Sequence, residues 1–284
     1  MTETLTETLR YAAFSTDPAG GNKAGVVLGA DSLTEDEMRA VAADLGYSET
    51  GFLVALGEGR YRVRFFAPAK EIAFCGHVTV AASVALAERT GLGELLFETN
   101  VGEVPVAVAA GADGVLRATL TSVEPYTEPI APEDLAEALA ALDWPAEELD
   151  PAFPPLVSCA GSRHLVLAAA TRERLAALDY DFDRLAAFMT AHDLTTVQLV
   201  WAAGPTVFHV RDPFPVGGVV EDPATGSAAA AFGAYLRALD LVPEQAELTL
   251  HQGEDMGSPG ELLVELRPGD ARVRVTGAAV RLPD

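Results

Sequence analysis

The sequence predicts an α+β fold of two pseudo-equivalent halves, each a sheet wrapped on one buried helix. Three observations predict it. The segments Val78–Arg89 and Ala228–Ala238 are rich in small residues and apolar on nearly every side; a helix apolar all round is a buried one. Strand-like runs accompany both. The order of elements also repeats. Gly161–Leu167 echoes Gly21–Val27 from 140 positions earlier, and Gly226-Ser227 follows Gly76-His77 by 150.

Leu9–Ser15 has strand character and enters a turn-rich stretch, Asp17–Asn22. Ala24–Leu28 is a short apolar run, read as a buried strand. Thr34-Glu35-Asp36-Glu37 fits a capping box, in which the Thr34 hydroxyl and the Glu37 carboxylate each accept the other's N–H. Met38, Val41, Ala42 and Leu45 follow at helical spacing, and Gly46 ends that helix in a left-handed conformation. Glu49–Leu56 and Tyr61–Phe66 read as strands. After the first apolar helix, Leu95–Thr99, Val104–Ala109 and Val115–Thr121 read as antiparallel strands with glycine-containing turns. Pro132–Leu142 is an acidic helix, and Pro151–Pro155 is the best linker candidate. Phe182, Leu185, Ala186 and Met189 return to helical spacing. Val197–Ala202 and Thr206–Arg211 are strands leading to the second apolar helix.

The chain has 284 residues, with 19 Lys and Arg against 42 Asp and Glu, a net charge of −23. That balance excludes nucleic acid as a main partner, because phosphate binding needs a basic footprint. It also disfavours anionic membrane surfaces. Two cysteines, Cys75 and Cys159, cannot build a disulfide framework or a Cys-rich zinc site. The acidic, polar N-terminus lacks the pattern of a signal peptide. No apolar run approaches the roughly 20 residues of a membrane span. The expectation is a soluble, cytoplasmic protein.

Several residues carry candidate chemistry. Gly76-His77 and Gly226-Ser227 each open an apolar helix, and helix N-termini bind carboxylates and phosphates. The plain alternative is capping, with Thr225 or Ser227 as the N-cap. Glu49 sits at the end of a loop feeding an apolar strand, where a carboxylate with a raised pKa could shuttle protons. Its plain alternative is an exposed strand-edge glutamate. Glu221 and Asp222 precede the second helix, as catalytic carboxylates or as parts of a capping turn. His77 is a proton donor or a hydrogen-bonder at a helix start. Cys75 is a thiol base at a helix start or a small buried residue. The other four histidines read as structural or surface residues. The five histidines show no paired metal-ligand spacing, and no metal is expected. Phosphate-loop, dinucleotide and nucleophile-elbow motifs are absent from the sequence. A cofactor-free enzyme is the enzymatic reading that remains.

In this order, Ala13–Thr16, Gly20–Asn22, Ser48–Phe52, Arg64–Pro68, Cys75–Thr79, Ser162–Leu165, Glu221–Ala228, Gln252-Gly253 and Met256-Gly257 resemble the PhzF-like family of phenazine biosynthesis. That family shares the diaminopimelate epimerase-like fold. The resemblance implies two pseudo-symmetric halves, each a curled mixed sheet around a central helix, with an active site in the cleft between them. It implies an N-terminal half, 1–125, completed by a C-terminal segment at about 268–284, and a C-terminal half, 126–267. It implies no metal, no cofactor and a homodimer. By position, Glu49 matches the family's proton-shuttling glutamate. Gly76, His77, Asp222, Gly226 and Ser227 match its substrate-holding residues, and Asn22 and Cys75 complete the expected binding set. Epimerases of this fold use two thiols; here Cys75 stands at the first position and Thr225 at the second. Ala229 and Ser258 replace a His and an Arg common in the family, and Ala19 and Lys23 replace a Phe and a Pro.

The resulting expectation is a cofactor-independent isomerase of a small carboxylic acid. Glu49, His77 and Asp222 are its catalytic candidates. The rivals are an amino-acid racemase or epimerase using Cys75 and one unconventional partner base, and a non-catalytic metabolite-binding protein.

Overall fold

A computed structural model describes residues 6–91 and 93–283. The N-terminal stretch 1–5, part of the segment read as lacking a signal peptide, lies outside them. The chain forms two compact units. One runs to Thr121 and resumes at Thr276; the other is Ser122–Val275.

In the first unit, β1 (Glu7–Ala13) and β2 (Asn22–Leu28) form an antiparallel pair. Helix α1 (Glu35–Leu45) crosses over, so that β3 (Glu49–Gly57) runs parallel to β2. The capping box of Thr34 and Glu37 and the left-handed Gly46, at φ 66°, bound α1 as the sequence predicts. Met38 and Ala42 pack on Phe52 and Phe66. Strand β4 (Arg60–Ala67) returns antiparallel to β3, and β5 (Lys70–Ile72) folds onto its end. Helix α2 (Gly76–Thr90) is the second crossover and delivers β6 (Gly93–Thr99) parallel to β4. The strands β7 (Gly102–Ala110) and β8 (Leu116–Thr121) follow antiparallel.

Every residue of α2 from His77 to Ala87 is buried. Alanines and valines let the helix lie close to β1, β2, β3, β7 and β8. Gly51 shows how close: a Cβ there would stand 2.6 Å from Val78 Cγ1.

The second unit repeats this order. It opens with β9 (Tyr126–Pro129) and α3 (Pro132–Leu142), followed by the antiparallel pair β10 (Leu156–Cys159) and β11 (Arg163–Ala168). Helices α4 (Arg172–Ala176) and α5 (Phe182–Ala191) lead to β12 (Thr196–Ala202), parallel to β11. Strand β13 (Val207–Pro213) returns antiparallel and carries the two-residue β14 (Glu221–Asp222). Helix α6 (Gly226–Ala238), buried from Ala228 to Leu236, then delivers β15 (Ala246–Gln252) parallel to β13. β16 (Gly260–Arg267) is antiparallel to β15. The last strand, β17 (Asp270–Arg281), starts in this unit and ends in the first, where Ala279–Arg281 pair with Tyr11–Ala13.

The two units thus share hairpin, helical crossover, parallel strand, antiparallel return and buried-helix crossover. The echo of Gly21–Val27 in Gly161–Leu167 is the match of β2 with β11. One expectation is corrected. Pro151–Pro155 is not a linker but a turn inside the second unit. Its Phe153 N–H bonds the Asp150 carbonyl, and the Pro154 carbonyl accepts the buried Tyr235 hydroxyl of α6 at 2.9 Å. Prolines there terminate a local turn before β10, a role that sequence alone cannot tell from a boundary.

Candidate functional site

In the first unit, four predicted residues come together at the start of α2. Cys75 is the N-cap, in extended conformation, and its carbonyl accepts the Thr79 N–H at 3.1 Å and hydroxyl at 2.7 Å. The Cys75 side chain makes no cap hydrogen bond, so it is left to face its neighbours. Glu49 begins β3 opposite Ala24 of β2, and Asn22 begins β2. Because α2 packs across both strands, these strand ends meet the helix start. His77 Nε2 lies 3.5 Å from Glu49 Oε2. His77 Nδ1 lies 3.2 Å from Asn22 Nδ2 and 3.3 Å from Cys75 Sγ. Cys75 Sγ lies 3.9 Å from Glu49 Oε2.

The Asn22 amide nitrogen can only donate, so Nδ1 accepts and Nε2 carries the proton, 3.5 Å from the Glu49 carboxylate. Burial pushes the His77 pKa down, against the opposing pull of the Glu49 charge and a hydrogen bond with the Lys23 backbone. The imidazole is therefore neutral near pH 7. The His77 side chain is only 6% exposed and that of Glu49 15%. Gly76 has no packing reason to be glycine: a Cβ there would meet nothing within 4 Å.

In the second unit, Asp222, Thr225, Gly226 and Ser227 mark the start of α6. Thr225 is the N-cap, but its side chain does not cap the helix. Its hydroxyl donates instead to the Asp222 carboxylate at 2.6 Å. Gln252, at the end of β15, ties the turn together. Its amide nitrogen donates to Thr225 Oγ1 at 2.9 Å and to the Asp222 carbonyl at 2.8 Å, and its oxygen accepts the Thr225 N–H at 2.9 Å. Sequence reasoning assigned Gln252 no role of its own beyond a motif. The signal was a buried amide followed by Gly253, whose φ is +81° and whose Cβ would lie 2.8 Å from the Pro223 carbonyl.

Glu221 is held by the buried Arg211, which donates to both its oxygens at 2.9 and 2.6 Å. This reads as a structural pair that anchors β14. Behind it lies a buried polar row that sequence reasoning missed. His164 Nδ1 is 2.8 Å from Thr196 Oγ1, and Thr196 donates to Asp212 Oδ1 at 2.6 Å. Burial lowers the His164 pKa to about 3. Burial raises the Asp212 pKa well above the usual carboxylate range, and the charges of Asp222 and Glu221 add to it. The signal was one polar residue at a core-facing position on each of three apolar strands.

The profile of phenazine biosynthesis-like proteins, PhzC-PhzF, matches residues 11–284. The chain belongs to the PhzC-PhzF family. It is 34% identical to an uncharacterized isomerase of Deinococcus radiodurans over 96% of this chain and 90% of that protein. It is 29% identical to the trans-2,3-dihydro-3-hydroxyanthranilate isomerase of Pseudomonas aeruginosa, over 92% of this chain and 90% of that protein. Among solved structures, the PhzF-family phenazine biosynthesis protein of Bacillus anthracis superposes with a TM-score of 0.88 at 25% identity, over 99% and 98% of the two chains. The α+β fold of two pseudo-symmetric halves is thus that of PhzF proteins, and the family's named relatives support an isomerase.

Proposed function

We propose that this PhzF-family chain is a metal- and cofactor-independent isomerase that moves a proton on a small carboxylic acid. The observation that carries the reading is the pairing of Glu49 with the buried His77, whose pKa burial pushes down, at the start of α2. A carboxylate is the base, and Nε2–H of the neutral imidazole orients it and polarises the substrate. Asp222 helps to orient the substrate. The N–H groups at the start of α2 bind its carboxylate, and Ser227 stays in the reading as a residue that the family resemblance assigns to substrate holding. The glycine at 76, not demanded by packing, supports a close backbone approach by a ligand. A carboxylic acid also appears in the name of the Pseudomonas aeruginosa relative. With Thr225 at the second thiol position, a two-thiol racemase finds less support. A cytoplasmic homodimer serving a biosynthetic process belongs to the same reading; sedimentation velocity tests the dimer against the 29.7 kDa of one chain.

The test is Glu49→Gln, with trans-2,3-dihydro-3-hydroxyanthranilate as the first of a panel of small carboxylic acids. A positioned acid–base group contributes about 10²- to 10⁴-fold, so kcat falls by that factor while KM changes little. Solvent-deuterium incorporation disappears with it. If Glu49 only braces β3, the variant loses some thermal stability and keeps its turnover per folded molecule. Unchanged kcat ends the proton-shuttle reading. If the wild type binds such acids but never exchanges their protons, the protein is a metabolite binder.

A further inference from the structure

The same side chains form a donor set whose chemistry goes beyond proton transfer. Glu49, Cys75 and His77 offer a carboxylate oxygen, a sulfur and an imidazole nitrogen within 4.8 Å of one another. The edges of this triangle are 3.9 Å from Cys75 Sγ to His77 Nε2, 3.9 Å from Sγ to Glu49 Oε2, and 3.5 Å from Nε2 to Oε2. A tetrahedral Zn²⁺ with ligand bonds of roughly 2.0–2.3 Å has donor–donor edges of about 3.3–3.8 Å. Cys75 Sγ stands nearer Nδ1, at 3.3 Å, than Nε2, so an ion on the Nε2 lone pair is reached by a turn of the Cys75 side chain together with a small contraction between His77 and Glu49.

We propose that Glu49, Cys75 and His77 form an inhibitory site for one thiophilic divalent cation, Zn²⁺ above all, with the fourth coordination position open. Three further features favour it. Two donors stand at the first positions of a helix buried almost all round, and the third at the start of the strand that it packs on. The backbone that carries the donors is thus preformed, and of the donors the Cys75 side chain alone has to turn. Cys75 and His77 are 8% and 6% exposed, a shielded position in which water competes poorly with the protein ligands. The net charge of −23 raises the local concentration of divalent cations. Thiolate ligation selects Zn²⁺, Co²⁺ and Cd²⁺ over Mg²⁺ and Ca²⁺.

Binding balances simply. The Cys75 thiol loses its proton to solvent, the imidazole proton moves from Nε2 to Nδ1 as the Asn22 amide turns its oxygen to accept it, and nothing is oxidised or reduced. An occupied site takes the Glu49 carboxylate out of proton transfer, so the inhibitory part rests on the function proposed above. Metal binding itself does not.

The experiment titrates the full, chelator-treated chain with Co²⁺ as a spectroscopic probe. One equivalent should produce tetrahedral ligand-field bands and a thiolate charge-transfer band, bleached by Zn²⁺ and untouched by excess Mg²⁺. Cys75→Ser, or Cys75→Ala should the first not fold, should abolish the charge-transfer band. His77→Gln should keep that band and weaken binding about tenfold or more, on the scale of losing one contributor to a metal site. Absence of the bands, or a charge-transfer band that survives in a folded Cys75 variant and so reports Cys159, overturns the site. Deuterium exchange into trans-2,3-dihydro-3-hydroxyanthranilate should fall with Zn²⁺ occupancy and recover with chelator. Exchange that persists or rises in the loaded protein overturns inhibition. A metal-free protein without exchange on any acid of the panel, but with intact Co²⁺ bands, instead locates the failure in the proposed function.

Discussion

Cys75 has both His77 and Glu49 within 4 Å of its sulfur, yet the function proposed above gives the proton transfer to Glu49 and no second thiol to Cys75. A lone thiol cannot perform two-base racemisation. Cys75→Ser should therefore lower kcat/KM less than about tenfold, against the 10²- to 10⁴-fold of a positioned base. A loss of several orders of magnitude would restore the racemase. Asp212 gives a second prediction at this scale. Its carboxyl is fully buried, its Oδ2 lacks a protein partner, and its pKa is raised well above the ordinary 3.8. A raised folded-state pKa means that the folded state holds a proton which the unfolded state has lost. Its contribution to stability is present below pH 3.8 and is lost as pH rises towards the folded pKa. Asn at 212 keeps an oxygen for Thr196 and removes the titration. Urea unfolding should find Asp212→Asn more stable than wild type at pH 7 by about 1 kcal/mol or more. The gain should vanish near pH 4; a gain independent of pH would contradict the account.

Each buried helix depends on small residues where strands pass over it. Gly233 in α6 sets two effects against one another. Alanine gains about 1 kcal/mol in helix propensity. Its Cβ, however, would lie 2.8 Å from Val264 Cγ1 and 3.0 Å from Val273 Cγ1. These are β-branched side chains in regular strands, which yield little, and overpacking costs about 1–3 kcal/mol. Gly233→Ala should lower the Tm, and a Tm equal to or above wild type would show that the strands give way. The same close packing keeps α2 in place and fixes where Cys75 and His77 stand.

For the whole molecule, the dominant sequence property is charge. Surface pairs such as Arg39–Glu35 weaken in salt, but exposed pairs contribute only about 0–1 kcal/mol each. The excess of 23 negative charges repels itself throughout. Screening should therefore win, and the Tm should rise by several degrees between about 20 and 200 mM NaCl. A falling Tm would show that paired charges outweigh the net repulsion.

The sequence by itself determined the element types and the duplication, because periodicity and caps are local. The capping box at Thr34, the left-handed Gly46 and the two all-apolar helices are read within one or two turns of chain. The alternation in β15 and β16 was equally local, although it lay outside the elements read here. Short strands such as β5, β9 and β14 carry two to four residues, too few for a period, and only pairing defines them. Single candidate residues were visible in the same way: Glu49 opened an apolar strand, His77 followed Gly76 at a helix start, and Asp222 preceded the turn into the second apolar helix. What only the tertiary structure decided is which groups face one another. Glu49 and Cys75 are 26 positions apart, and no spacing rule links them. They meet because α1 and α2 are successive crossovers on one sheet, the first delivering β3 at Glu49 and the second starting after Cys75. Gln252 reaches Thr225 across 27 positions for the parallel reason, since β15 follows α6 back alongside β13. Chemistry at a distance in sequence is set by topology, and topology is fixed by the packing of the whole unit.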